Sequence, residues 1–202
     1  MAALWLGAVG AGLRVLYEYE NRPGPSAGVI SAWPAASRVR LNPSGPTIIM
    51  FAHPWCPCSR ASMGELESIM ARVQGQVSAY VLFAKPQDSS EEWEKTSLWR
   101  NAAAIPRVTV LGDPGGHEAI RFGGQVSGHV LLFDSRGRLL FSGGITGARG
   151  HSGDNAGRRA ILALVAGQEP ARAQTPVFGC HLHDPDAAAL RAEPAWEKRK
   201  AR

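Results

Sequence analysis

The chain has 202 residues, of which 45% are hydrophobic and 19% charged, which excludes an intrinsically disordered protein and allows one substantial core. The net charge is +5, and the last twelve residues, with five basic and two acidic side chains, carry +3 of it. The small remaining excess forms no basic stripe, so a nucleic-acid partner is not expected. Three cysteines are too few, and odd in number, for a small disulfide-rich scaffold.

The first 24 residues begin with an uncharged run, Ala2 to Leu13, rich in alanine, leucine and glycine. A membrane-spanning helix needs about 20 apolar residues, although about 17 suffice when a flanking arginine such as Arg14 extends to the interface. We therefore predict that residues 1–24 form a membrane anchor or signal-anchor. The alternative is a helix packed on the domain.

Residues 25–46 are rich in proline, glycine and serine, and we predict a linker there. A domain is predicted from residue 47 to residue 168. It opens with a buried strand, Thr47–Ala52, followed by a helix, Ser59–Val73, whose apolar residues recur at three- and four-residue steps. The remaining predicted elements are, in order, a strand, a helix, a strand, a hairpin and a helix: Val77–Ala84, Glu91–Ala104, Val108–Leu111, Val130–Phe133 with Leu139–Phe141, and Asn155–Ala166.

This order predicts an α/β fold. Strands that alternate with helices form a parallel set joined by crossovers, and the hairpin adds antiparallel strands, so the central sheet is mixed and flanked by helices. A glycine-rich loop, Gly143–Gly153, precedes the last helix, which Asp154 or Asn155 is expected to cap. Beyond the domain we predict an extension, residues 169–183, that carries Cys180, and a basic polar tail, residues 184–202.

The segment Trp-Cys-Pro-Cys-Ser-Arg, residues 55–60, places two of the three cysteines between the first strand and the first helix of the domain. A cysteine at a helix N-terminus is stabilised as the thiolate by unpaired N–H groups and the helix dipole. Cys56 is therefore the predicted nucleophile. Trp55 is expected to shield it, Pro57 to fix the start of the helix, and Arg60 to stabilise the thiolate by its charge.

The other two cysteines leave several pairings open. Cys58 can close a tight and easily reduced disulfide ring with Cys56, or it can face the packing of its helix while Cys180 acts as the resolving thiol. A metal site is the rival hypothesis. Cys56, Cys58 and Cys180 with His53 would complete a tetrahedral set for Zn²⁺ or a thiolate site for Cu(I).

With Trp-Cys-Pro at the first helix of the domain and the hairpin segment from Gly128 to Gly144, the chain resembles the thioredoxin fold. It is most similar to the membrane-anchored TlpA-like thiol–disulfide oxidoreductases, and among these to the RedB-type proteins. The resemblance implies that the first cysteine attacks a substrate disulfide, that a second cysteine resolves the mixed disulfide, and that no organic cofactor takes part.

The chain departs from that family at two places. Ser59 stands where the family has its second active cysteine, and Cys58 comes one position earlier. The family usually has a cis-proline before the hairpin, and here the matching residue is Gly128, followed by His129.

Together these features predict a thiol–disulfide oxidoreductase with a Cys-x-Cys site on a thioredoxin-like fold. It is expected on the periplasmic side, outside the cytoplasm, attached to a membrane through its N-terminus or secreted. Its expected partners are protein thiols and disulfides and an upstream redox protein. The alternative is a copper or zinc carrier that uses Cys56, Cys58 and Cys180.

Overall fold

The structure is a computed structural model that describes residues 1–25, 28 and 30–182. The helices and strands of the described part are, in chain order, α1 (Ala2–Asn21), β1 (Thr47–Ala52), α2 (Pro57–Arg72), β2 (Ser78–Lys85), α3 (Ser97–Ala104), β3 (Val108–Pro114), α4 (His117–Arg121), β4 (His129–Phe133), β5 (Leu139–Gly144) and α5 (Ala156–Val165).

The five strands form one mixed sheet in the order β3-β2-β1-β4-β5. The strands β1, β2 and β3 are parallel, and β4 and β5 form an antiparallel hairpin whose first strand pairs with β1. The predicted α/β fold is therefore confirmed: the chain has a thioredoxin-like arrangement with a mixed sheet, flanking helices and a final hairpin plus helix.

The central strand β1 is buried on both faces, which explains why its sequence is a continuous apolar run rather than an alternating one. Ile48 and Met50 pack against the face covered by α2, α3 and α5. Ile49 and Phe51 point to the opposite face, where α4 contributes to a second cluster. The turn that follows the carboxyl end of this strand leads directly into α2, so the strand determines where α2 begins.

The observed elements differ from the predicted ones mainly at their ends. Helix α2 starts two residues earlier than predicted because Pro57 occupies its first position. Helix α3 starts at Ser97 instead of Glu91, since turns occupy the preceding segment. The short helix α4 was not predicted; the Asp113 carboxylate starts it by accepting hydrogen bonds from two of its N–H groups, both at 2.9 Å.

Part of the segment predicted as a linker packs on the second face of the sheet. Val39 is 3% exposed, and the ring of Trp33 meets the rings of Phe122 and Phe133 edge-on at 5.1 and 5.0 Å. The segment supplies apolar cover that α4, with five residues, is too short to provide.

Helix α1 has no buried side chain. Its C-terminal end meets the glycine-rich loop, where the Arg149 N–H donates to the Glu20 carbonyl at 3.0 Å and the Arg149 guanidinium lies 5.1 Å from the centre of the Tyr19 ring. None of the helices in the described part of the chain combines the length and the apolar character needed to cross a bilayer.

Candidate thiol site

Cys56 lies at the N-terminus of α2, directly after the turn that follows β1. It is the N-cap residue, Pro57 takes the first helical position, and only 4% of the cysteine surface is exposed. The Ser59 hydroxyl accepts a hydrogen bond from the His53 N–H at 2.9 Å, which ties the first helical turn to the end of the strand. The N–H groups of that turn have no partners within the helix and favour negative charge at Cys56.

The surroundings of Cys56 favour its thiolate. Burial raises the pKa of the Cys56 thiol. The Cys180 sulfur and the Ser127 hydroxyl lie 2.7 and 3.4 Å from its sulfur, and the backbone N–H groups of Ser59 and Cys58 add to their effect. Together these neighbours outweigh burial and lower the pKa of Cys56 to about 7. About half of this thiol is therefore ionised at neutral pH.

Cys180 brings its sulfur to 2.7 Å from the Cys56 sulfur, although 124 positions separate the two residues in the chain. Both are free thiols in this structure. The pKa of Cys180 is raised to about 12, first by burial and then by its hydrogen bond to Cys56 and the negative charge there. Cys180 is thus the less acidic of the two thiols, and a small movement gives a disulfide of about 2.05 Å.

Cys58 lies in the first turn of α2 as a free, buried thiol, 5% exposed. Burial raises its pKa, and the charge of Cys56 raises it further. The Gly150 N–H and the Arg149 charge act in the opposite direction. The structure therefore places Cys180 against Cys56, the predicted nucleophile, and Cys58 toward the glycine-rich loop.

Ser127 is a site residue that no sequence pattern indicates. Its buried hydroxyl donates to the Cys56 sulfur at 3.4 Å and accepts from the Cys180 N–H at 3.0 Å. Its own N–H donates to the Cys180 carbonyl at 2.8 Å. One serine therefore holds both residues of the sulfur pair. The signal in the sequence is its position directly before Gly128, which the resemblance places opposite the active cysteines.

Gly128 and His129 connect this serine to the sheet. Gly128 has a φ of +82°, which disfavours any other residue, and its N–H donates to the Phe51 carbonyl at 2.7 Å. His129 is buried, and its Nε2 lies 2.9 Å from the Ser142 hydroxyl. Burial lowers the pKa of His129 to about 4. This histidine is therefore neutral at pH 7 and bonds to β5.

Arg149, in the glycine-rich loop, is the second site residue that the sequence does not reveal. Its guanidinium donates to the Gly179 carbonyl at 2.7 Å and so holds the residue before Cys180. Its positive charge opposes the rise in the pKa of both Cys58 and Cys180. A pattern of glycines before a helix gives no sign that this arginine reaches a segment 30 positions further along the chain.

The buried carboxylate of Glu65, on α2, fixes the glycine-rich loop. It accepts hydrogen bonds from the Gly153 N–H at 2.6 Å, the Asn155 amide at 3.3 Å and the Arg158 guanidinium at 2.7 Å. Asn155 also caps α5, because its side-chain oxygen accepts from the Arg158 N–H at 2.8 Å. Of the two predicted cap residues, Asp154 and Asn155, the structure has the asparagine in this role. The network holds the loop beside the thiols.

The other predicted supporting residues surround the start of α2. The His53 Nδ1 accepts from the Trp55 N–H at 3.3 Å, and its ring meets Trp93 edge-on at 5.8 Å. Burial lowers the pKa of His53, so its imidazole is neutral at pH 7. Trp55 is 67% exposed, and Arg60 is exposed on the first helical turn. The indole of Trp55 therefore presents an apolar surface to solvent next to Cys56.

Within the residues that the structure describes, no group of three or more histidine, cysteine, aspartate or glutamate side chains is arranged to hold a metal ion. The metal set of Cys56, Cys58, Cys180 and His53 stays a prediction. The imidazole nitrogen of His53 that accepts a hydrogen bond is engaged by the backbone of Trp55.

No protein-family model matches the chain, and no curated protein matches it. Among solved structures, a hypothetical protein of Sinorhizobium meliloti 1021 is similar at a TM-score of 0.58 and 18% identity, over 82% of this chain and 96% of that one. An uncharacterised conserved protein of Geobacillus kaustophilus is similar at a TM-score of 0.57 and 21% identity, over 83% and 95%. These two similarities establish a shared fold over most of the chain.

Proposed function

We propose that this protein is a thiol–disulfide oxidoreductase that acts on protein thiols and disulfides, with Cys56 as the nucleophile and Cys180 as the resolving thiol. The observation that carries the proposal is the pair of sulfurs 2.7 Å apart at the N-terminus of α2. The lowered pKa of Cys56 and the raised pKa of Cys180 agree with it. A thiolate attacks a disulfide, and a low pKa also makes it a good leaving group when the bond reopens.

In the reducing direction, the Cys56 thiolate attacks one sulfur of a substrate disulfide, whose S–S bond breaks, and the other substrate sulfur leaves and takes up a proton. Cys180 then gives up its proton and attacks the Cys56 sulfur. The Cys56–Cys180 bond forms as the bond between Cys56 and the substrate breaks, and the substrate sulfur leaves as a thiolate and takes up a proton. The substrate has then gained two electrons and two protons. A redox partner that carries thiols must return two electrons to the pair. Electrons pass through sulfur only, so the cycle uses no organic cofactor.

Thiol mapping by mass spectrometry in stepped glutathione buffers, with metal analysis of the same sample, tests this assignment. We expect metal-free protein to form a reversible Cys56–Cys180 disulfide. Cys58→Ser should keep that disulfide, whereas Cys180→Ser should trap a mixed disulfide with glutathione at Cys56. A Cys56–Cys58 bridge in the unmodified chain would instead make Cys58 the resolving thiol. Three thiols that stay reduced around one zinc or copper ion would replace the oxidoreductase with a metal carrier.

The proposed location is extracytoplasmic, where disulfides persist, with residues 1–24 attaching the domain to a membrane. Support comes from the apolar side chains that α1 presents to solvent, among them Leu6, Leu13 and Leu16, each about 60% exposed. We expect the full chain to sediment with membranes and to be released by Leu6→Lys with Leu13→Lys. Unchanged sedimentation of the double variant would remove α1 from this role.

Arg149→Ala is expected to weaken the Cys56–Cys180 disulfide. The guanidinium holds the Gly179 carbonyl and lies among the thiols, so its loss frees the residue before Cys180. Because a hydrogen bond from a charged group contributes about 1.5 kcal/mol, the equilibrium constant for this disulfide against glutathione should fall about tenfold. Arg60→Ala, which removes an exposed arginine near the same thiols, is the control and should leave the constant unchanged. Equal effects of the two variants would show that Arg149 acts only through general charge.

A further inference from the structure

The last described segment of the chain, residues Ala173–Leu182, is here called the C-terminal strap. Its first half lies along the outer edge of β5. The Ser142 N–H donates to the Ala173 carbonyl at 3.1 Å, the Thr175 N–H donates to the Ser142 carbonyl at 3.3 Å, and the Gly144 N–H donates to the Pro176 carbonyl at 3.2 Å. The strap is thus guided along the sheet edge toward the thiols.

The second half of the strap pairs with the segment that precedes β4. The Ser127 N–H donates to the Cys180 carbonyl at 2.8 Å, and the Leu182 N–H donates to the Gln125 carbonyl at 3.0 Å. Val126 and His181 form an antiparallel bridge between these bonds. This is the backbone pattern with which an extended polypeptide adds to a free strand edge. Residues 125–127 therefore form a recognition edge that the strap occupies.

The strap delivers a cysteine sulfur to the nucleophile in this position. The Cys180 sulfur lies 2.7 Å from the sulfur of Cys56, which is only 4% exposed while the strap is in place. An outside polypeptide that is to react with Cys56 must therefore reach the place that Cys180 now fills. The strap and a substrate segment cannot occupy the recognition edge together.

The residue before the cysteine decides which segments fit. A Cβ atom at Gly179 would overlap the Ser127 carbonyl oxygen and would lie 2.8 Å from the carbonyl carbon and 2.9 Å from the hydroxyl. The Ser127 carbonyl is backbone, and the next residue is held by the bond from the Gly128 N–H to the Phe51 carbonyl at 2.7 Å. The Ser127 carbonyl therefore cannot move aside without disturbing the backbone around it. Only a glycine directly before the cysteine allows this close approach.

We propose that the recognition edge, residues 125–127, selects extended segments of protein substrates in which glycine directly precedes the reactive cysteine, and that the C-terminal strap is its resident competitor. This rests on the proposed function and names its substrate class. In this structure the strap occupies the edge with Cys180 as a free thiol, so no covalent bond holds it there and a substrate segment can displace it. The Cys56 thiolate then attacks the Gly-Cys sulfur of a substrate disulfide. That S–S bond breaks, the second substrate sulfur leaves as a thiolate and takes a proton, and Cys180 returns to release the substrate as described above.

The test uses the full chain with Cys58→Ser and Cys180→Ser, in which Cys56 is the single thiol. It is mixed with pyridyl disulfides of three peptides: Val-Phe-Gly-Cys-His-Leu, Val-Phe-Ala-Cys-His-Leu and the control Gly-Phe-Ala-Cys-His-Leu. Released pyridinethione gives the rate of mixed-disulfide formation, and dithiodipyridine gives the intrinsic reactivity of Cys56. Because one excluded methyl group in a tight site changes rates by about tenfold or more, the Gly-Cys peptide should react at least about tenfold faster than the other two.

Adding Gly179→Ala to the same chain removes the competitor, because the alanine keeps the strap off the edge. The Gly-Cys peptide should then react faster still, while the two Ala-Cys peptides stay slow. Equal rates for all three peptides, with normal reactivity toward dithiodipyridine, would overturn the selectivity and leave the oxidoreductase standing. A Cys56 that is inert to dithiodipyridine and to glutathione disulfide would instead overturn the proposed function.

A measurement on the unmodified chain keeps the strap testable if Gly179→Ala fails to fold. Hydrogen exchange is followed with the Cys56–Cys180 pair oxidised and then reduced. The amides of Cys180 and Leu182 should exchange faster after reduction, and those in the middle of α2 should not change. Strap amides that are equally protected in both states would show that the strap does not yield the edge to a substrate.

Discussion

Replacing Cys56 with serine is expected to lower turnover of a protein disulfide by about 10³-fold or more, because removing a covalent nucleophile eliminates the chemical step. Serine is a good N-cap residue and nearly the same size, so the fold should remain. Its hydroxyl does not ionise at neutral pH, whereas the pKa of Cys56 is about 7. Reduction of a fluorescent glutathione disulfide analogue measures the loss, and the melting temperature checks the fold.

Cys58→Ser is the matched control for this variant, since it removes a sulfur from the same helical turn. It should keep turnover within about threefold of the unmodified protein, a change of less than 1 kcal/mol in the barrier. A Cys58→Ser variant as inactive as Cys56→Ser would transfer the resolving role to Cys58. A Cys56→Ser variant that keeps its turnover would remove Cys56 from the mechanism altogether.

The pH dependence of Cys56 supplies a second readout. In Cys58→Ser, the rate of Cys56 alkylation by iodoacetamide should rise with pH and reach half its maximum near pH 7, because only the thiolate reacts. The Cys180 hydrogen bond is the largest of the contributions that lower this pKa, so adding Cys180→Ser should move the midpoint upward. An unchanged midpoint would mean that Cys180 does not stabilise the thiolate.

Local patterns in the sequence are sufficient to predict the sheet and to place Cys56 at the start of α2. The continuous apolar run of Thr47–Ala52 indicates a strand buried on both faces, and the spacing of apolar residues after it indicates α2. The turn that ends at Gly137, with a φ of +78°, joins the predicted hairpin. Each of these signals lies within a few residues of the element that it specifies, so no tertiary information is needed.

The rest of the site depends on contacts that local patterns do not encode. Cys180 reaches Cys56 because Gly143, Gly144 and Gly179 lack side chains that would block the C-terminal strap, and nothing in the sequence pairs these glycines with their distant neighbours. Ser127 and Arg149 act on sulfurs that are far away in the chain. The sequence therefore left the choice between Cys58 and Cys180 open, and the structure places Cys180 against Cys56.

Glu65→Ala is expected to be the most destabilising single change near the site. The carboxylate is 3% exposed and accepts from the guanidinium of Arg158 at 2.7 Å. Its removal leaves that largely buried charge with only the exposed Asp154 carboxylate, at 3.5 Å, as a partner. Removing one partner of a buried ion pair costs about 3 kcal/mol or more of unfolding free energy, which lowers the melting temperature by about 6 °C or more in a chain of this size. Glu67→Ala, on the exposed side of the same helix, is the control and should change stability by less than about 0.5 kcal/mol.

Glu65→Ala also tests whether Glu65 only stabilises the fold or, in addition, keeps the Cys58 thiol shielded from reagents. Glu65 holds the Gly153 N–H and the Asn155 amide, so its loss loosens the loop whose Gly150 N–H lowers the pKa of Cys58. Cys58 should then react with maleimide faster than in the Glu67→Ala control, at a temperature where both chains are folded. Adding Arg158→Met to Glu65→Ala should recover part of the lost stability, because it removes the guanidinium that lost the Glu65 carboxylate. Cys58 should remain reactive in this double variant. A Cys58 that stays protected in both variants would mean that α2 itself, and not the glycine-rich loop, keeps this thiol out of the exchange.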